Sequence, residues 1–117
     1  MAESVRKLRV HVPVDHPSFA GHFPGDPLLP GVALLAYAQE ALLADPEVAP
    51  WLADGVALNA VKFLASVRPG AAIEVRWTPD AARRRVQVQV WRHAPGDAGE
   101  GVLACTLQVD AAAQVQP

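Results

Sequence analysis

Cysteine is nearly absent from this chain. Cys105 is the single one in 117 residues, so no internal disulfide can form. An excess of one charge is absent as well. Ten Lys and Arg stand against twelve Asp and Glu, a net charge of −2, without the basic surplus of a typical nucleic-acid-binding domain. Long hydrophobic runs are also missing. The longest uncharged apolar stretch, Leu28 to Ala38, is too short to cross a bilayer. No apolar segment of the secretory-leader kind follows Met1–Lys7. No group of His, Cys and acidic residues has metal-ligand spacing. These absences lead to the expectation of a cytoplasmic protein with no nucleic-acid or membrane partner and no metal or redox cofactor.

What is present is a core. Apolar residues make up 51% of the chain and charged residues 19%, enough for one packed domain over 1–117. Leu8, Val10 and Val12 alternate with Arg9 and His11 and predict a first strand. Residues 13–30 hold five prolines and two glycines and read as loop. Pro30-Gly31 opens a helix predicted to run to about Ala44, with Asp45-Pro46 as its stop. That helix is apolar nearly all round, so it is expected to be buried on most faces. A short helical turn is expected near Trp51. Four strands follow: Val56 to Ser66, then those built on Ile73/Val75/Trp77, Val86/Val88/Val90 and Leu103/Cys105/Leu107/Val109. Their short links predict an antiparallel meander, and 111–117 reads as a frayed tail. The fold class is α+β, a curved sheet wrapped around one helix. One such sheet leaves part of the helix uncovered, which predicts a dimer.

The chemistry-bearing stretch is His22-Phe23-Pro24-Gly25-Asp26-Pro27-Leu28-Leu29-Pro30-Gly31-Val32. It joins an imidazole to a proline-stiffened loop that runs into the helix. A helix start carries free N–H groups and partial positive charge, so it can polarise a carbonyl oxygen. His22 as base beside the Gly31 N–H is the minimal equipment for removing a proton next to a thioester carbonyl. Read without that context, His22 is a structural histidine, Gly31 a packing glycine, and Pro24, Pro27 and Pro30 loop stiffeners. His11, His16 and His93 read as strand-face, loop and turn residues. Cys105 reads as a small buried hydrophobe, and Tyr37 as packing.

Gly21-His22-Phe23-Pro24-Gly25, Pro27, Pro30-Gly31-Val32 and Ala38-Gln39 resemble the β-hydroxyacyl-acyl-carrier-protein dehydratases. Val61-Lys62-Phe63 and Val67-Arg68-Pro69-Gly70 resemble that family's second characteristic stretch. The resemblance implies a hotdog fold and a homodimer with a continuous sheet. It also implies a hydro-lyase that removes water from a 3-hydroxyacyl chain on acyl carrier protein or coenzyme A. His22 is then the base and Gly31 the carbonyl donor, with Phe23, Pro24, Gly25, Pro30 and Val32 around the substrate. The family's helix acid, contributed by the opposite subunit, falls on Ala36.

Alanine can donate no proton. Glu40, one turn along the helix, is the first candidate substitute, followed by Asp26 and Asp15, or His22 acting as a shuttle. A further reading pairs this chain with an acid-bearing relative in a heterodimer that has one working site. Two competing functions remain open: a catalytically impaired acyl-thioester-binding protein and an acyl thioesterase. Arg83-Arg84-Arg85, with Lys62 and Arg68, forms a candidate docking patch for an acidic carrier protein, or a solvated strand end.

Overall fold

The computed structural model describes residues 5–12, 31–68, 70–93 and 101–112, leaving out the side chain of Val32. Among these residues five strands form one antiparallel sheet beside a single α-helix: β1 (Arg6–His11), α1 (Gly31–Leu43), β2 (Val56–Phe63), β3 (Ala72–Asp80), β4 (Arg85–His93) and β5 (Val102–Ala111). A short 3-10 turn, Ala49–Leu52, lies where a turn near Trp51 is expected. Strand order is β1-β3-β4-β5-β2. The meander expected over four strands therefore holds for β3, β4 and β5 only. β2 pairs with the outer side of β5, and β3 pairs with β1. The segment after β2 crosses to the other end of the sheet instead of turning back. Its Ala71 carbonyl accepts from the Val12 N–H at 2.8 Å, which fixes β1 beside β3.

Alternation decides which side of each strand meets the helix. Ile73, Val75 and Trp77 on β3, Val86, Val88 and Val90 on β4, and Cys105, Leu107 and Val109 on β5 are all buried. Leu34, Ala38, Ala41 and Leu42 of α1 belong to the same core, each large side chain contributing roughly 1.5–3 kcal/mol. The opposite face is polar. There Arg76 donates to Glu74 at 2.9 Å and stacks 4.5 Å above the Trp91 ring.

Asp45 ends the helix and also ties it down. Its Oδ1 accepts the Glu47 N–H at 2.9 Å, and its Oδ2 accepts the Trp77 indole N–H at 2.8 Å. Arg6 of β1 bridges Asp45 and Glu47. One buried carboxylate thus joins the helix end to β1 and β3. Burial pushes its pKa up, but the hydrogen bonds from Arg6 and Trp77 outweigh burial and hold it below the ordinary value.

As expected for one sheet, part of the helix is left uncovered in the single chain: Ala36, Gln39, Glu40 and Leu43 are exposed. Three further expectations need correction. β2 stops at Phe63, not Ser66. Ala111 is not tail: it closes β5, and the Ala112 N–H bonds the Gly55 carbonyl at 2.9 Å. His93 is not in a turn. It is the last residue of β4, held there by pairing with Ala72. Its side chain is buried and its ring nitrogens make no hydrogen bond among the described residues, with Glu74 Oε2 3.7 Å from Nε2.

Candidate active site

The site is organised by the first turn of α1. Gly31 begins the helix, and its N–H is among the donors that have no partner within a helix. No acidic side chain in the first turn offsets the positive helix end. A Cβ on Gly31 would lie 2.8 Å from ring carbons of Phe63. Glycine therefore lets the last residue of β2 pack directly on the helix start.

An open hollow of about 640 Å³ surrounds this point, lined by Gly31, Leu34, Leu35, Phe63, Leu64, Ala65 and Ser66. A second, more enclosed cavity of about 330 Å³ continues along the helix. Leu35, Ala36, Ala38, Gln39 and Leu42 line it from α1, Leu58, Leu107 and Val109 from the sheet, and Leu52, Gly55 and Val56 close it. Leu35 borders both spaces. The two spaces thus adjoin at Leu35, one at the helix start and the other an apolar chamber with Ala36 in its wall. That geometry suits an acyl chain whose carbonyl oxygen sits at the helix end.

His22, with Phe23, Pro24, Gly25, Pro30, Asp15 and Asp26, lies outside the described residues, and so does the Val32 side chain. His16 lies there too. Gly31 is where the sequence reading places it. Ala36 borders the apolar chamber. Glu40 is exposed one turn farther on and lines neither space. Tyr37 is half-buried against the core. Burial raises its pKa, and the charge of Glu40 adds to the effect. Cys105 is fully buried, and burial pushes its thiol up to about 11, so it offers no thiolate nucleophile. Among the described residues no group of three or more His, Cys, Asp or Glu could hold a metal ion. Among the same residues no helix is long and apolar enough to cross a membrane.

The basic run is partly neutralised. Arg83 pairs with Asp80 at 3.1 Å and Arg85 with Asp110 at 2.6 Å. The bond from Arg85 holds the Asp110 carboxyl below its usual range. Lys62 and Arg68 are exposed. Phe63, Gln39 and Leu107 carry no assigned role in the sequence reading. Gln39 follows Ala36 on the same helix face, which period 3.6 makes visible. Phe63 stands in the Val61-Lys62-Phe63 stretch, but its place against Gly31, like that of Leu107 beside the chamber, comes through strand pairing that spans more than forty residues.

An antiparallel sheet laid against one central helix, with an acyl-sized cavity at the helix start, defines a hotdog protein. The ApeI-like family, the ApeI dehydratases, matches over residues 2–102, and the chain belongs to that family. It is 35% identical to a 3-hydroxyacyl-acyl-carrier-protein dehydratase FabZ of Jannaschia sp. over 101 residues, covering 81% of this chain and 62% of that one. The FabZ of Roseobacter denitrificans is 32% identical over 110 residues, covering 86% of this chain and 69% of that one. Among solved structures, the dehydratase heterocomplex ApeI:P from Xenorhabdus doucetiae shares the fold. Its TM-score is 0.68 at 21% identity, covering 93% of this chain and 88% of that one. The chain thus spans under two thirds of the length of the Jannaschia relative.

Proposed function

We propose that this chain, as one hotdog domain in the cytoplasm, is a hydro-lyase that removes water from 3-hydroxyacyl chains carried as thioesters on acyl carrier protein. The observation that carries this reading is the pair of spaces that adjoin at Leu35, one at the Gly31 helix start and one an apolar chamber beside Ala36. In this reading the thioester oxygen accepts the Gly31 N–H, which stabilises charge as the C2 proton leaves. The imidazole of His22 takes that proton. The C3 hydroxyl departs as water once an acid protonates it, and a 2-enoyl thioester remains.

Ala36 supports a second reading, that the acid comes from a partner chain. The exposed helix face around Ala36 and Leu43 and the open β2 edge suit a subunit that completes the site. A fold neighbour named as a dehydratase heterocomplex supports this second reading, and FabZ relatives named for an acyl-carrier-protein substrate support the carrier in the first. A homodimer leaves Ala36 in both sites; a heterodimer with an acid-bearing relative has one complete site.

Incubation with a 3-hydroxyacyl thioester, read for enoyl product and free thiol, tests both readings. The chain alone is expected to be slow. Ala36→Glu, or addition of the acid-bearing partner, is expected to raise turnover by about 10²–10⁴-fold. His22→Ala is expected to abolish it. Free thiol without enoyl product would identify a thioesterase and overturn the proposal. Tight ligand binding with neither product in any of these preparations would leave an acyl-binding protein.

A further inference from the structure

We infer that Arg92 is a positioning residue for the hollow at the start of α1: its guanidinium fixes the wall against which the thioester end of the substrate lies. The inference rests on the reading that a thioester occupies that hollow. The hollow has two sides. Gly31, Leu34 and Leu35 of the helix form one, and the chain from Phe63 to Ser66 forms the other. Phe63 is the last residue of β2 and packs on Gly31. Leu64 and Ser66 are exposed, so at these positions backbone contacts hold the wall, not buried side chains.

Those contacts come from β5 and β4. β5 is irregular against both of its neighbours. β2 bulges on it between Asn59 and Lys62, where Ala60 takes a φ of 53°. On the other side the register slips between Val90, which faces Cys105, and Trp91, which faces Leu103. Ala104 is thus left without a partner on β4, as in a bulge. Its carbonyl accepts the N–H groups of both Leu64 and Ala65, at 2.8 and 3.3 Å. Ser66 lies one step beyond this shared acceptor. Among the described residues its backbone bonds to no other backbone group. Its carbonyl accepts from the Arg92 guanidinium instead. Arg92 pairs with Ile73 and Val102, so its side chain leaves β4 on the helix side of the sheet. Val67, next after Ser66, is fully buried. The Ser66–Val67 peptide is therefore bracketed by the Ala104 carbonyl and the Val67 side chain, and Arg92 fixes which way it points. Without that donor the peptide is free to turn, and ordering it on binding costs affinity. None of residues 63–66 lines the chamber along α1, so Arg92 acts on the hollow alone.

The test is calorimetric titration of the complete chain, in the assembly it forms, with non-hydrolysable straight-chain acyl-pantetheine amides of graded length. In the wild type each added methylene that finds room should tighten binding by roughly fourfold. Arg92→Met is expected to weaken every amide by roughly three- to tenfold and to leave the gain per methylene unchanged. Arg92→Lys, which still carries a donor, is expected to recover part of the loss. Arg92→Gln carries the same expectation as Arg92→Met should that variant fail to fold. A residue that merely supported the fold would disturb the chamber as well, and the loss would grow with chain length. That outcome, unchanged affinity, or no recovery in Arg92→Lys would overturn the inference. A uniform loss in Arg92→Met beside a wild type that dehydrates nothing would overturn the proposed activity alone. A wild type that dehydrates, beside an Arg92→Met that binds equally well, would overturn this inference alone. No binding of any amide by the wild type would overturn both.

Discussion

At the scale of single residues, the buried carboxylate of Asp45 holds more of the structure together than any ion pair on the polar face. It is almost fully buried, whereas Arg6 keeps about a third of its side chain exposed. Removing the acid leaves the Trp77 indole N–H and part of the Arg6 charge without a partner. Asp45→Ala is therefore expected to cost about 2–3 kcal/mol in urea denaturation, below the loss for a fully buried pair because Arg6 retains water. The pH dependence has a definite sign. Asp45, Glu74 and Asp110 all have lowered pKa values in the folded chain. Their stabilisation is fully present above the unfolded carboxylate value of about 4 and is lost as pH falls through the lowered folded values. The urea midpoint should drop between about pH 5 and pH 2, and Asp45→Asn should flatten that drop. A midpoint independent of pH in this window would count against the network. Asp45 was legible in the sequence only as a helix stop before proline. Its burial and its bond to Trp77 follow from strand pairing 32 residues away, which the Asp-Pro signal does not carry.

At the scale of elements, the backbone shows where residue type and conformation agree and where they conflict. Arg84 ends the β3–β4 turn with a φ of 50°. Arg84→Gly is expected to stabilise the fold by about 0.5–1 kcal/mol, because relief of left-handed strain exceeds the entropic cost of glycine. Gly101, before β5, has a φ of 90°, and a Cβ there would collide with the Arg92 carbonyl oxygen. Gly101→Ala is expected to cost more than about 1 kcal/mol. Thermal melts of the two variants should move in opposite directions; movement in the same direction would refute the argument. Element identity was readable because period 2 and period 3.6 are local signals. Ile73/Val75/Trp77 and Val86/Val88/Val90 face the helix as their alternation requires. Strand order was not readable. β2 and β3 follow one another in sequence yet lie at opposite sides of the sheet, because pairing with β1 and β5 depends on residues far along the chain. The glycine that opens α1 was legible, and so was the missing acid at Ala36. The bulge at Ala60 was not, since alanine is the wrong residue for its conformation.

At the scale of the whole molecule, the sheet has, among the described residues, two unpaired edges of different character. β1 carries Arg6, Lys7, Arg9 and His11 along its length. Basic side chains of this kind discourage edge-to-edge pairing. β2 and its continuation expose Val56, Leu58, Phe63 and Leu64, the last two more than half exposed. The exposed helix residues Ala36 and Leu43 add to the uncovered apolar surface. Apolar surface of this extent marks a contact face, and the β2 edge is the one that a partner would extend. Leu64 separates contact from fold stability: its backbone N–H bonds the Ala104 carbonyl at 2.8 Å while its side chain is exposed. Leu64→Asp is therefore expected to keep the single-chain fold and weaken the assembly. Sedimentation should shift toward the single chain, and the melting temperature should lose its dependence on protein concentration. Turnover should fall with it if the site needs a second chain. Leu8→Asp, on the basic edge, should leave the assembly unchanged. Dissociation caused by Leu8→Asp, or an assembly that survives Leu64→Asp, would place the contact face somewhere other than β2.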